Sequence, residues 1–299
     1  MEPEALRVAV LGPGGVGGLL AALLTRAGNS VVVLAGESTA RAITERGIRV
    51  ESQRFGNFQV RPDAAVRLEG HVDACLITVK ATQLHEALER VPANVVGDAL
   101  VVPFLNGIDH VDLLRRTFPS ENVTGATIRI EVARIEPGLV HHTSQFAAVE
   151  ISTSVGRPER VERLASQLRA TGLDVRVRDD ETAMLWDKLV LLAPIALLTT
   201  HERANVGVVR TRRHDDAVAA ISEVAATARA EGAAIDTEAV LQIFDSIPDS
   251  MESSMQRDQA AGRPLELDAI GGTVVRRAAR AGVPVPVTAR LVEELRQRK

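Results

Sequence analysis

Two kinds of residue in this chain could do chemistry: a run of glycines near its start, and polar side chains placed where predicted strands end. Gly12-Pro13-Gly14-Gly15-Val16-Gly17 fits G-x-G-x-x-G. Such a loop can hold a dinucleotide pyrophosphate. Its first glycine makes a tight turn, its second lets backbone approach the phosphates, and its third lets a helix pack closely on the preceding strand. The N–H groups of Gly15, Val16 and Gly17, at the start of that helix, would then face the anion. The segment after the next predicted strand, Leu34-Ala35-Gly36-Glu37-Ser38-Thr39-Ala40-Arg41, holds both an acid and a base. An acid there suits the ribose of NAD and a base suits the phosphate of NADP, so the local residues leave both coenzymes open. Lys80 and Asn106 each follow a predicted strand, where ligands of open α/β sheets collect. His141-His142 could suggest a metal pair. Neighbours on a strand point to opposite faces, however, and no acid or cysteine completes a site, so no metal is expected.

The elements that must position these residues are legible as patterns. Residues 6–11, 31–34, 73–79 and 100–105 are short β-branched or apolar runs and read as strands, with strand-like pieces at 48–51 and 58–60. Helical stretches at 19–27, 40–46 and 84–91 alternate with them and stop at Gly28-Asn29, Gly47 and Pro92. Alternation with nearly continuous apolar strands predicts a parallel sheet covered on both faces. Residues 123–132, 139–142 and 147–152 read as consecutive strands that extend this sheet antiparallel. A helix at 159–170 and a strand at 175–177 follow. From residue 181 onward only helices are predicted, at 181–198, 212–231, 237–244, 267–281 and 288–297. The expected fold class is an α/β Rossmann domain (parallel sheet with antiparallel extension) over residues 1–179, followed by an all-α domain over 180–299.

Composition narrows the partners. The 299 residues are 45% hydrophobic and 25% charged, enough to bury a core without staples. Aromatics are 2% with no Tyr, so Val, Leu, Ile and Ala must fill that core. A net charge of −4 offers no positive field for nucleic acid, and no such partner is expected. Cys75, alone in the chain and in a strand-like run, reads as a buried inert thiol. The acidic start Met1-Glu2-Pro3-Glu4 does not resemble a secretory signal. The apolar run 189–198 is short for a membrane span and contains Pro194. The expectation is a cytoplasmic protein without a membrane partner, either monomer or homodimer.

Further short motifs then fall in order. They are Val79-Lys80-Ala81-Thr82-Gln83, Leu105-Asn106-Gly107-Ile108, Trp186-Asp187-Lys188-Leu189, Ser253-Ser254-Met255-Gln256-Arg257-Asp258, Pro264-Leu265-Glu266-Leu267-Asp268 and Gly282-Val283-Pro284-Val285-Pro286. With the glycine loop, the set resembles the ketopantoate reductase (2-dehydropantoate 2-reductase) family over the whole chain. The resemblance implies an NADP-dependent oxidoreductase, with NAD as the alternative coenzyme, that reduces a 2-oxo acid. The implied reaction is 2-dehydropantoate to pantoate, in pantothenate biosynthesis. It implies Lys188 as the catalytic lysine and Glu266 as its partner acid. Lys80 and Asn106 would line both the nicotinamide and the substrate, Ser254 would touch the substrate, and Gly12, Gly14 and Gly17 would seat the phosphates. The chemistry agrees. A hydride arriving at a carbonyl leaves an alkoxide, and a lysine ammonium can protonate it or hold its charge.

Two departures from the family pattern stand out. Well-known members carry asparagines four and eight residues after the lysine, whereas Leu192 and Ala196 stand there in this chain. Positions i, i+4 and i+8 share a helix face, so the pocket wall beside Lys188 is expected to be more apolar. A related 2-oxo acid with a more apolar tail is therefore the alternative substrate. Pro194, inside the same helix, should cost the Val190 carbonyl its partner. The other departure is Gly36, where many members have an arginine for the 2′-phosphate of NADP; Arg41, with Ser38 or Thr39, is the expected replacement. A non-catalytic NADP-sensing protein would be a third reading, and the retained Lys188 and Glu266 argue against it.

Overall fold

The computed structural model describes residues 4–155 and 157–298. They form two compact units. One comprises residues up to 105 together with 110–181; the other joins the short segment 106–109 to the residues from 182 on.

The first unit opens with β1 (Arg7–Leu11), α1 (Gly15–Arg26), β2 (Ser30–Leu34), α2 (Glu37–Arg46), β3 (Ile48–Ser52), β4 (Phe58–Val60), β5 (Asp63–Ala65) and β6 (Ala74–Ile77). It continues through two short helices, α3 (Leu84–Leu88) and α4 (Ala93–Val96), then β7 (Leu100–Pro103) and α5 (Asp109–Thr117). It closes with β8 (Ala126–Glu136), β9 (Leu139–Ser152), α6 (Pro158–Ala170) and β10 (Asp174–Arg178). Strands β5, β2, β1, β6 and β7 lie in that order in a wholly parallel sheet. Alternation along β1 divides its side chains between two cores, because successive strand residues face opposite sides. Val8 and Val10 join Leu19, Leu20, Leu23 and Leu24 of α1 on one face, while Ala9 and Leu11 join Leu84, Leu114 and Phe118 on the other. Cys75 belongs to the second core, and burial pushes its thiol up to about 12. That thiol stays protonated at neutral pH.

The antiparallel extension takes the form of a second sheet. Strands β8 and β9 pair antiparallel, and β9 also pairs parallel with β3 and β10. A parallel bridge from Val101 to Val123 leads from the edge of the first sheet toward β8. Strand β9 is one continuous strand of 14 residues, where two were expected with a turn near Ser144. The polar middle misled because its partners are internal. The register slips between Ile130 and Val132, and the Ser144 hydroxyl accepts from the Glu131 N–H left over at that bulge. His142, also in β9, is buried with Nδ1 2.8 Å from the Ser52 hydroxyl and Nε2 3.1 Å from that of Ser144.

The second unit is helical, with α7 (Glu181–Glu202), α8 (Val206–Arg212), α9 (His214–Ala230), α10 (Thr237–Ser246), α11 (Ser254–Ala260), α12 (Thr273–Ala281) and α13 (Pro286–Gln297). The expected helix over 212–231 is thus α8 and α9, parted at Arg213. Among the described residues α7 alone is long and apolar enough to cross a membrane. Most of it is buried in the protein, as a core helix would be. It continues through Pro194 to Glu202. Between Glu266 and α12 the chain makes one wide π turn, Asp268–Gly272, a rare form that often marks functional positions.

Candidate active site

The glycine loop joins β1 to α1. Gly12 has φ +90°, and a Cβ there would meet Val79 at 2.4 Å. Gly17 sits where a Cβ would meet the Thr78 hydroxyl at 2.2 Å and the Gly12 carbonyl at 2.3 Å, so only glycine lets helix and strand approach this closely. The Thr78 hydroxyl lies 2.8 Å from the carbonyl oxygens of both Leu11 and Gly12 and pins the loop. Gly14 differs: a Cβ there would point into open space. It is the N-cap of α1, with no side-chain cap and no acid in the first turn. The first helical bond runs from Gly18 N–H to Gly14 O, which leaves the N–H groups of Gly15, Val16 and Gly17 without helical acceptors. An uncapped helix start beside open space fits a bound pyrophosphate.

Around this loop, Lys80 is half-buried just past β6, at the head of a short turn closed by Gln83 N–H to Lys80 O. Arg41 is exposed on the second turn of α2, and Glu37 is exposed on the first.

In the helical unit three of the expected residues meet. The Lys188 ammonium on α7 donates to Asn106 Oδ1 at 3.1 Å, and Asn106 Nδ2 donates to Glu266 Oε2 at 3.1 Å. A cation on one side and a carboxylate on the other fix which way the amide faces. Lys188 and Asn106 are half-buried, and Glu266 is buried just before the π turn. Asn106 reaches this place through a tight turn. Gly107 has φ +83°, and a Cβ on it would come within 2.0 Å of the Ala269 carbonyl. Ser254 is exposed at the start of α11; its neighbour Ser253 is buried and caps that helix by accepting from Gln256 N–H at 3.1 Å. Leu192, one turn beyond Lys188, is half-buried, and Ala196 is buried.

Sequence reasoning missed what holds the three together. Trp186 Nε1 donates to Glu231 Oε2 at 3.2 Å, and Arg277 donates to the same oxygen at 2.8 Å. Arg277 also donates to Asp109 at 2.8 Å, and Arg276 spans Asp109 and Asp268 at 2.8 and 2.7 Å. The chain of contacts therefore grips a residue near each functional group: Trp186 beside Lys188, Asp109 beside Asn106, and Asp268 beside Glu266. Burial pushes the Asp109 carboxyl up, but hydrogen bonds from Arg276, Thr273 and Arg277 outweigh it and hold the group below the usual carboxylate range. No sequence spacing announces such a network, because its members lie on four separate segments.

A glycine-cradled Rossmann sheet and a helical unit presenting a lysine, an amide and an acid define an oxidoreductase scaffold. The family model described as ketopantoate reductase PanE/ApbA matches residues 8–155, and its C-terminal counterpart matches residues 180–299. The 2-dehydropantoate 2-reductase of Mycobacterium tuberculosis is 32% identical over 298 residues, covering 95% of each chain. A crystal structure of 2-dehydropantoate 2-reductase from Geobacter metallireducens GS-15 matches with a TM-score of 0.88 and 28% identity, over 98% of this chain and 100% of that one. A D-mandelate dehydrogenase, in a ternary structure with NADH and anilino(oxo)acetate, shares the fold with a TM-score of 0.87 and 23% identity, over 96% of each chain. The protein belongs to the ketopantoate reductase family of NAD(P)-dependent oxidoreductases.

Proposed function

We propose that this protein reduces the keto group of a 2-oxo acid with NADPH, and that 2-dehydropantoate, giving pantoate, is its substrate. The observation that carries the reading is the Lys188–Asn106–Glu266 array, in which an ammonium is aimed by an amide that a buried carboxylate holds in turn. The coenzyme, seated on Gly12, Gly14, Gly15, Val16 and Gly17, supplies the hydride. Lys188 gives its proton to the oxygen that becomes negative as the hydride arrives. Asn106 keeps the ammonium in place, and its own contacts with the substrate orient the carbonyl. Glu266 fixes Asn106 and accepts a hydrogen bond from a substrate hydroxyl. Ser254 and Lys80 bind the polar ends of substrate and coenzyme. In this reading residues 1–179 serve the coenzyme and residues 180–299 the substrate, with Asn106 lent to the latter.

A second reading keeps the chemistry and changes the tail. Leu192 and Ala196 stand on the Lys188 face of α7 where well-known members of the family carry asparagines, which favours a 2-oxo acid with an apolar tail. An apolar wall discriminates weakly, whereas a site built to bond a hydroxyl rejects analogues that lack one. The D-mandelate dehydrogenase with the same fold was solved with anilino(oxo)acetate, which is in keeping with that option.

The test is loss of NADPH absorbance with 2-dehydropantoate beside 2-oxo acids of graded tail size and polarity. Selective turnover of 2-dehydropantoate supports the first reading. A preference that rises with apolar tail size supports the second. No turnover with any 2-oxo acid overturns both.

A further inference from the structure

We propose that Arg90 reads the 2′-phosphate of the coenzyme, taking the place of a side chain at position 36. The inference rests on the NADPH-dependent reading above. In a Rossmann sheet the group just past the second strand lies beside the adenosine ribose, and a base there accommodates a 2′-phosphate. Here that position is Gly36, exposed and extended, with φ −64° and ψ 156°. It contributes no side chain, and a cation from elsewhere in the same unit fills the space. A Cβ built on Gly36 would lie 4.0 Å from Arg90 Nη2.

The guanidinium is held there. Arg90 Nη1 donates to the carbonyl of Val66 at 3.3 Å and lies 3.5 Å from that of Ala35. Ala35 and Val66 are the residues immediately past β2 and β5, so Arg90 spans the C-terminal ends of two neighbouring parallel strands. The Arg90 carbonyl in turn accepts from Leu68 N–H at 2.8 Å, tying its own loop to the one after β5. One edge of the fork is thereby fixed on protein, and the side chain stays 26% exposed. Its acidic neighbour is Glu86, 4.0 Å from Nη2 and 81% exposed. Such a loose i,i+4 surface pair is weak, and a phosphate dianion displaces it readily. Arg41, by contrast, is exposed one helical turn further on.

The test is direct binding of NADPH and NADH, read by coenzyme fluorescence without any 2-oxo acid present. The unsubstituted protein should prefer NADPH by about tenfold or more. Arg90→Ala should weaken NADPH about 10- to 100-fold and leave NADH within about threefold. Arg90→Lys should fall between, because an ammonium lacks the fork. Gly36 has room and an ordinary backbone conformation, so Gly36→Arg added to Arg90→Ala should restore most of the preference. Equal losses for both coenzymes would mean that Arg90 only staples the strand ends, and the proposal falls. It also falls if the unsubstituted protein favours NADH, or if Arg41→Ala costs more NADPH affinity than Arg90→Ala. Because no substrate is used, a silent 2-oxo acid panel leaves this result standing. Failure to bind either coenzyme would overturn this proposal together with the reading beneath it.

Discussion

On the proposed function, the glycine loop and the lysine site solve two binding problems in opposite ways. The loop works with backbone: closely spaced glycines, an uncapped helix start and one hydroxyl from Thr78 that pins two carbonyls. The lysine site works with side chains from three distant segments, joined by two hydrogen bonds and braced by a network of arginines and carboxylates. A diphosphate is large, always charged and content with N–H groups, so a loop suffices. Proton transfer to one oxygen, as proposed for Lys188, needs a single cation aimed within a fraction of an ångström, and the restraints around it suit that task.

If that contrast holds, Lys188→Ala should have the largest effect. We expect kcat to fall by roughly 10²- to 10⁴-fold, the usual contribution of a general acid. Coenzyme affinity, measured separately by fluorescence, should stay within about twofold. A comparable loss in coenzyme binding would erase the distinction between the regions.

The loop can be broken in two ways that separate fold from ligand. Gly17→Ala drives a Cβ into Thr78 and the Gly12 carbonyl. It should lower stability by about 1–3 kcal/mol, as overpacking does, and weaken coenzyme binding at least about tenfold. Gly14→Ala meets nothing in the protein, and its φ of −71° suits any residue. It should leave the melting temperature unchanged while coenzyme affinity drops several-fold. If binding too is unchanged, the open space above Gly14 is not where the phosphates lie.

Legibility in the sequence follows the same divide. The loop was visible because its chemistry is contiguous and its neighbours follow a strand–helix pattern. The parallel strands were visible because both their faces are buried, and the helical half because its elements are long. Strand β9 was read as two, since Ser144-Gln145 looks like a turn until the bulge that Ser144 satisfies is seen. Lys188, Asn106 and Glu266 could be named through family resemblance, but their connection through the Asn106 amide could not. The bracing residues left no trace. Glu231, Arg276 and Arg277 resemble ordinary charges on helix surfaces, and only tertiary placement turns the two arginines toward Asp109 and Glu231 toward Trp186 and Arg277.

That bracing yields an intermediate prediction. Asp109→Asn keeps the shape but removes the charge on which two guanidinium groups converge. The 106–109 turn should loosen and Asn106 should drift from Lys188. On the order of a tenfold fall in kcat is expected from such misplacement, with coenzyme affinity unchanged. Gly107→Ala, which forces a Cβ onto the Ala269 carbonyl, should disturb the same turn more severely.

The smallest effect distinguishes a brace for chemistry from a brace for fold. Glu150, in the second sheet of the first unit, is the counterpart of Asp109. It accepts from Arg129 at 2.7 Å and from Arg178 at 3.0 Å. Burial raises its carboxyl, but the hydrogen bonds and charges of Arg129 and Arg178 prevail and hold it below the usual range. For both acids the folded form binds its proton less readily than the unfolded chain. Their stabilisation is therefore complete above the ordinary carboxylate pKa of about 4 and is lost as pH falls through the lower folded value. Urea unfolding followed from neutral pH down to about pH 3 should show stability declining in that window. Glu150→Gln and Asp109→Asn should each start less stable at neutral pH and decline less steeply on acidification. At neutral pH, however, Glu150→Gln should leave kcat untouched, because its arginines brace a sheet and no reacting group. Equal loss of turnover in both variants would mean that the helical unit's network is no more tied to catalysis than any buried ion pair in the molecule.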